Sequence, residues 1–505
     1  MGALSAPSAH GMPAPPRAPA AGNAEGVRRR GLGRLRAPVV RPGALVAVTV
    51  LCVCAPAGRG ASDGAVKVTP ADVASAVVVA VAAISVVAAR RRLPPRALLA
   101  FGPVIVTVGV TTVCSTDVAA SLPGAVRFLQ IFVLVPLAVM TLVRDRRDLT
   151  PVCAAVVAAA VFEAGYGIVQ AATGTGASYE GRNVRAVGTF GALDVMALAT
   201  VVGYGTVVTL AFLLARPSRG RPAAVTALLW AVLAVQAAAL VLSLSRGSWI
   251  AVGAAAALMT VLRDRMLALR VAVAAGAVAV VAGGALGPGA QTVVERARSI
   301  TASTSTPDQS VVDRYSLWST ALHIWRDHRA TGVGVKNFAA YRDTYAPIQL
   351  SGASDTSDPV NGYVRQELLS PHNQYLLVLS EQGLVGIAGF AVLLGFLLAG
   401  LARPPAMPGR SARRDAVWLV ATGFMTVVLV DFLYGDLGGP TSVLTSVMLG
   451  VTAVVALGPS RGPDGPVPRV PETVPETVPA TVPASDAESA RPRGRRTTGG
   501  AHDSR

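Results

Sequence analysis

The sequence predicts an all-α integral membrane protein of about twelve transmembrane helices with one large extracytoplasmic helical loop. Three observations carry this. Of 505 residues, 52% are hydrophobic and only 14% are charged, too few polar groups to coat a soluble domain of that length. The apolar residues arrive in runs of about twenty, enough for a helix to cross the hydrocarbon core. A segment there must satisfy its own backbone hydrogen bonds, so the runs are helices. Third, the arginines gather in short clusters beside alternate ends of the runs.

Taken in order, residues 1–40 are rich in Ala, Pro and Arg and form a disordered basic cytoplasmic tail. Residues 41–287 hold spans one to nine, near 43–58, 70–89, 97–114, 125–143, 151–171, 192–215, 223–243, 247–262 and 267–287. The first is short, follows Arg28, Arg29, Arg30 and Arg36, and ends in Ala55-Pro56-Ala57, which also fits a cleaved signal peptide. Both readings carry the chain outward. Residues 288–373 form the extracytoplasmic loop, and 374–458 hold the last spans, near 374–400, 415–433 and 441–457. Residues 459–505 repeat Val-Pro-Glu-Thr at 470–473 and 474–477, and this Pro-rich composition predicts a disordered cytoplasmic tail.

Orientation follows from the arginines. The inner connections hold Arg90, Arg91, Arg92 and Arg96, then Arg144, Arg146 and Arg147, then Arg216, Arg219 and Arg221. Arg263, Arg265, Arg403, Arg410, Arg413 and Arg414 follow on the same side. The net charge of +17 is therefore a topology signal, not a nucleic-acid footprint, and nucleic acid is excluded as a partner. Cys52, Cys54, Cys114 and Cys153 lie in or beside apolar runs, without zinc-ligand spacing or a disulfide framework.

Function is sought in the exceptions to this pattern. Arg246, in Leu244-Ser245-Arg246-Gly247-Ser248-Trp249, sits at the outer end of a tight turn between two spans, against the charge bias. It either snorkels to headgroups or meets an anionic group through the small neighbours Ser245, Gly247 and Ser248. In the long loop, Tyr315, Trp318, Leu322 and Trp325 recur at helical spacing, so this helix lies on the membrane or caps the bundle, with Arg314 one turn before Trp318. His372 immediately precedes an outward-starting helix, with Asn373 beside it, and an imidazole there suits a general base. Glu163, in the outer half of the fifth span, either holds Arg185 or Arg246 or meets a serine on a neighbouring helix. Asp431 and Asp436 either contact a sugar or mark a solvated helix end.

Ser245-Arg246-Gly247 between two spans, Arg314 with Trp318 in a long outer loop, and His372-Asn373 with Glu381-Gln382-Gly383-Leu384-Val385-Gly386 resemble the O-antigen ligase family. That superfamily also holds O-antigen polymerases and bacterial protein O-oligosaccharyltransferases. After Gly188-Thr189-Phe190-Gly191 this chain has Ala192-Leu193 where the family often has Asn-Pro. The resemblance implies a GT-C-like fold and a metal-independent glycosyltransferase, without a cofactor, in cell-surface polysaccharide biosynthesis. It implies transfer of a glycan from a polyprenyl-diphosphate carrier to a hydroxyl acceptor (glycan, lipid or protein) among the membrane lipids, at the outer face of the cell membrane. On it, His372 accepts the proton of the attacking hydroxyl or orients it, Arg246 and Arg314 meet the leaving diphosphate, and Arg185, Glu163 and Asn373 are expected at the substrate. A polymerase of the same superfamily and a multi-span solute transporter are the alternative readings. A transporter predicts broken or polar midplane sites in both halves of the chain.

Overall fold

The computed structural model describes residues 2, 42–55, 68–90, 93–143, 146–179, 182–191, 194, 196–215, 220–274, 309–350, 354–358, 362–366, 368–403 and 412–458. The two tails, the end of the ninth expected span, the start of the long loop and Ala192-Leu193 lie outside them. So do several arginines of the inner connections, among them Arg91, Arg92 and Arg144.

Among the described residues, seven helices are long and apolar enough to cross a membrane: Pro70–Ala88, Pro95–Val113, Val118–Leu142, Asp148–Thr173, Ala197–Leu214, Ala223–Leu242 and Gln374–Leu401. Pro42–Cys54, Ala416–Asp431 and Ser442–Leu457 are apolar but shorter. The eighth expected span, Arg246–Arg263, carries an arginine at each end. This is a multi-pass membrane protein. Its outward-facing apolar side chains agree, with Val77, Ile84 and Val87, then Leu98, Leu99 and Val106, then Leu228 and Trp230 all exposed where only lipid would cover them.

We label the helices α1 (Pro42–Leu51), α2 (Pro70–Ala88), α3 (Pro95–Val113), α4 (Val118–Leu142), α5 (Arg146–Thr173), α6 (Ala197–Leu214) and α7 (Ala223–Leu242). The series continues with α8 (Arg246–Arg263), α9 (Gln309–Asp327), α10 (Phe338–Tyr345), α11 (Gln374–Leu401), α12 (Ala412–Asp431) and α13 (Ser442–Leu457). Their starts are written locally. Thr69 and Asp72 form a capping box ahead of α2, with Pro70 at its first position. Asp117, Ser245 and Asn373 cap α4, α8 and α11 through side-chain oxygens. In α4, Pro136 has no N–H to donate, and a π turn at Gln130–Leu134 precedes it.

The fold is otherwise less purely helical than the sequence predicts. Ala177–Tyr179 (β1) pairs antiparallel with Arg182–Arg185 (β2), and Ser354–Asp358 (β3) with Gly362–Gln366 (β4). Both hairpins fall in connections, where short polar strands give little periodicity to read.

Helix α6 sits at the centre, buried from Ala197 to Ala211 against α5, α7, α8 and α12. Helix α11 packs on α3 and α13. Phe128, Phe132, Tyr375, Phe390 and Phe432 form one aromatic cluster, with Phe132 and Phe390 edge to face at 5.1 Å. It joins the start of α11 to the end of α12. A second, separate core of Leu317, Ala321, Ile324, Val333, Phe338 and Leu350 lies under α9 and α10. This corrects the expected face of α9: Leu317, Ala321 and Ile324 are fully buried, whereas Tyr315 is exposed and Trp318, Leu322 and Trp325 are only partly covered. The helix caps the bundle through its aliphatic stripe, and the aromatic one lies beside that stripe.

Helix α11 is broken at Gly383, with φ 62° and ψ −160°, a conformation essentially confined to glycine. Four of the freed groups are paired with the segment 329–334. Leu384 N–H and Val385 N–H donate to the carbonyls of Arg329 and Ala330, at 2.9 and 3.0 Å. The carbonyls of Ser380 and Glu381 accept from Val333 and Gly334. A turn segment, 329–334, is thus inserted into a transmembrane helix.

Candidate active site

Three backbone turns converge at one end of the bundle. The first joins α7 to α8. Leu244 adopts φ 51°, and Ser245 accepts from Ser248 N–H to start α8, which makes Arg246 its first residue. Trp249 Nε1 donates to the Leu240 carbonyl at 2.7 Å and pins the turn. Arg246 therefore stands at a helix start, where the free N–H groups add positive potential. Gly247 faces the chain after α12, since a Cβ there would lie 3.2 Å from Tyr434 Cβ.

That second turn, residues 431–437, organises the site. Tyr434 and Gly435 donate to the Asp431 carbonyl at 2.9 and 2.8 Å. Gln374 N–H reaches the Phe432 and Gly435 carbonyls, and Gln374 Oε1 accepts from Leu437 N–H at 2.8 Å. The start of α11 and the end of α12 are thereby one unit. His372 lies within it, with φ 47°, its side chain 42% exposed, and Nδ1 3.8 Å from Asp436 Oδ1. Burial alone would raise the Asp436 carboxyl, but the neighbouring His372 and Ser370 hold it below the ordinary carboxylate range. Arg314, on α9, acts electrostatically on Asp431 at the same turn.

Asp431 and Asp436 are therefore not merely a solvated helix end: Asp436 stands 3.8 Å from His372, and Asp431 lies within the electrostatic reach of Arg314. Asn373 takes a different task from the expected one. Its Oδ1 accepts from Leu376 N–H at 3.0 Å and its Nδ2 donates to the Leu433 carbonyl at 3.2 Å, so this buried side chain caps α11 and clamps the turn instead of facing substrate.

The third turn carries Arg185. Its Nε donates to the Ser243 carbonyl at 2.7 Å, and Ala186 N–H to the Leu242 carbonyl at 3.0 Å. Arg185 thus braces the end of α7 and, through it, the turn that presents Arg246. Glu163 is fully buried and is taken up by Thr189, whose N–H and hydroxyl donate to it at 2.9 and 2.7 Å. Its partner is Thr189 and not the arginine or helix serine expected from the sequence, so it holds the turn itself. Gly188 belongs there because a Cβ would strike the Glu163 carboxylate. Gln170, one helical face further out on α5, brackets the same turn, donating to the Gly188 carbonyl and accepting from Val187 and Gly188 N–H.

Arg246, Arg314 and His372 are thus brought to one turn, while Arg185, Glu163 and Asn373 support it. Sequence reading named Asp431 and Asp436 without their neighbours His372 and Arg314, and it missed Gln170 and Gln374. Gly332, Gly334 and Gly383 all adopt positive φ at the insertion beneath.

Residues 230–391 match the family model described as O-antigen ligase. No curated protein matches the chain. The matched stretch contains Arg246, Arg314 and His372, and ends inside α11. Arg185, Glu163, Asp431 and Asp436 lie outside it.

Proposed function

From an O-antigen ligase domain at residues 230–391, we propose that this protein transfers a glycan from a polyprenyl-diphosphate carrier to an acceptor hydroxyl at the outer face of the cytoplasmic membrane. The observation that carries the reading is the meeting of Arg314, the Arg246 helix start and His372 at the turn 431–437. Fixed cations beside a proton acceptor are what this reaction needs.

The acceptor oxygen attacks the anomeric carbon, and the bond from that carbon to the diphosphate oxygen breaks. The hydroxyl proton passes to His372 Nε2. Asp436, on the Nδ1 side, orients the ring and stabilises the imidazolium that forms. The electron pair leaves on the lipid diphosphate, whose added charge Arg246 and Arg314 offset. Guanidiniums fit phosphate oxygens in forked pairs. Each such preorganised group contributes on the order of 10²–10³ in rate. Arg185, Glu163 and Asn373 act through the turns they hold.

A polymerase of the same superfamily would use the same donor chemistry with a second glycan chain as acceptor. A transporter would use a broken helix as an ion or solute site. The break at Gly383 argues against it, because four of its freed backbone groups are already paired with 329–334. The test is transfer by purified protein in detergent, from a lipid-diphosphate-linked oligosaccharide to mixed acceptors. His372→Ala and Arg246→Ala should each lose about 10²-fold or more while remaining folded. Full activity in both variants removes the assignment.

A further inference from the structure

The second and third turns of α9 carry an aromatic pair that no part of the transfer chemistry uses. Tyr315 is 53% exposed on a helix whose neighbouring stripe is fully buried. Its ring stands edge to face against Trp318, with centroids 5.5 Å apart. The Trp318 indole nitrogen is closed off from solvent and has no hydrogen-bond partner. A buried donor without an acceptor is costly and rare, and a bound ligand that supplies the acceptor is one of the few things that account for it.

The position of the pair says which ligand. Arg314 and Trp318 are four residues apart, so they are surface neighbours, roughly 5–6 Å between Cβ atoms. Leu317 on the same helix belongs to a core that takes in Leu376 and Leu377 at the start of α11, and Arg314 acts on Asp431 at the turn bearing His372 and Asp436, so this part of α9 lies beside the site. A group held by Trp318 lies about one pyranose ring away from a group held by Arg314. Pyranose rings present C–H faces that pack on aromatic rings, and hydroxyl oxygens that accept from an indole N–H.

We infer that Tyr315 and Trp318 form a sugar subsite for the glycan residue attached directly to the lipid diphosphate. This rests on the proposed transferase reading and names the part of the donor that the site reads. Tyr315, being exposed, offers its ring face to the same sugar whose hydroxyl oxygen accepts from the Trp318 N–H. The subsite holds the donor equally before and during transfer, so its loss raises KM and leaves kcat.

The experiment uses the full chain in detergent, with the lipid-linked glycan pool extracted from cells in which the protein is native. Farnesyl diphosphate, which has no sugar, serves as competitive inhibitor. Trp318→Phe keeps a ring and removes the N–H; Tyr315→Ala removes the exposed face. Each is expected to raise donor KM about tenfold. Both should keep kcat within about twofold and leave the inhibition constant of farnesyl diphosphate unchanged. Arg314→Ala, by contrast, should weaken farnesyl diphosphate. Unchanged donor KM in both variants, or an equal loss toward donor and farnesyl diphosphate, overturns the sugar subsite while leaving the transferase reading intact. Absence of transfer by the unaltered protein overturns both.

Discussion

At the scale of single residues, His372 and Asp436 carry the most specific consequence. The carboxyl of Asp436 is held below the ordinary range by its histidine partner, so it stays ionised wherever the protein would work. A group lowered in the folded state stabilises above its unfolded value, near 3.9, and that contribution is lost as pH falls through the lowered value. Asp436→Asn should therefore cost about 10²-fold in transfer, by misorienting the base. Melting curves in detergent should show that the advantage of the native aspartate does not weaken until pH drops below about 4. An advantage that vanished between pH 7 and 5 would mean that the pair does not form. Arg246 and His372 were legible in the sequence because each is a polar residue where apolar ones are the rule. Asp436 was not, because a solvated helix end and a histidine partner look alike until the fold closes α11 onto α12. Glu163 shows the same limit: its burial was readable, its partner was not.

At the scale of elements, the apolar runs foretold helices well, since a membrane leaves the backbone no other open choice. The hairpins escaped because they lie in polar connections. The face of α9 was misplaced by one residue: aromatic residues drew the eye to Tyr315 and Trp318, whereas packing selected the aliphatic stripe beside them. The break in α11 was also hidden, because Gly383 amid apolar residues reads as an ordinary membrane glycine. Its conformation makes a firm prediction. Gly383→Ala forces a side chain into a φ of 62° and against the Ala330 carbonyl. Strain of about 1–3 kcal/mol is expected from the backbone alone, before the clash is counted. Because the insertion joins α9 to α10 and both helices pack on α11, the variant should melt earlier and also lose transfer, while Gly395→Ala, with open space around it, should do neither. An unshifted melting curve for Gly383→Ala would show that segment 329–334 is not seated in the break.

At the scale of the whole molecule, the charge distribution and the site occupy opposite ends. Arg263 Nε donates to the Leu214 carbonyl at 2.9 Å, and Arg221 also meets the end of α6, so both belong to the end of the bundle away from Ser245. Arg90, Arg96 and Arg403 lie in connections of the same parity. If positive charge is retained inside, the end bearing His372, Arg314 and Lys336 must face out, where a lipid-linked glycan would be presented. The argument is testable without any substrate. In a background with the four native cysteines replaced by serine, Lys336→Cys places a thiol at an exposed position near the site. It should react in intact cells with a maleimide that cannot cross the membrane. Arg403→Cys, after the end of α11, should react only once the cells are opened. The reverse pattern would put the site on the cytoplasmic side, and a transferase drawing on an outward-facing lipid carrier could not then be the function.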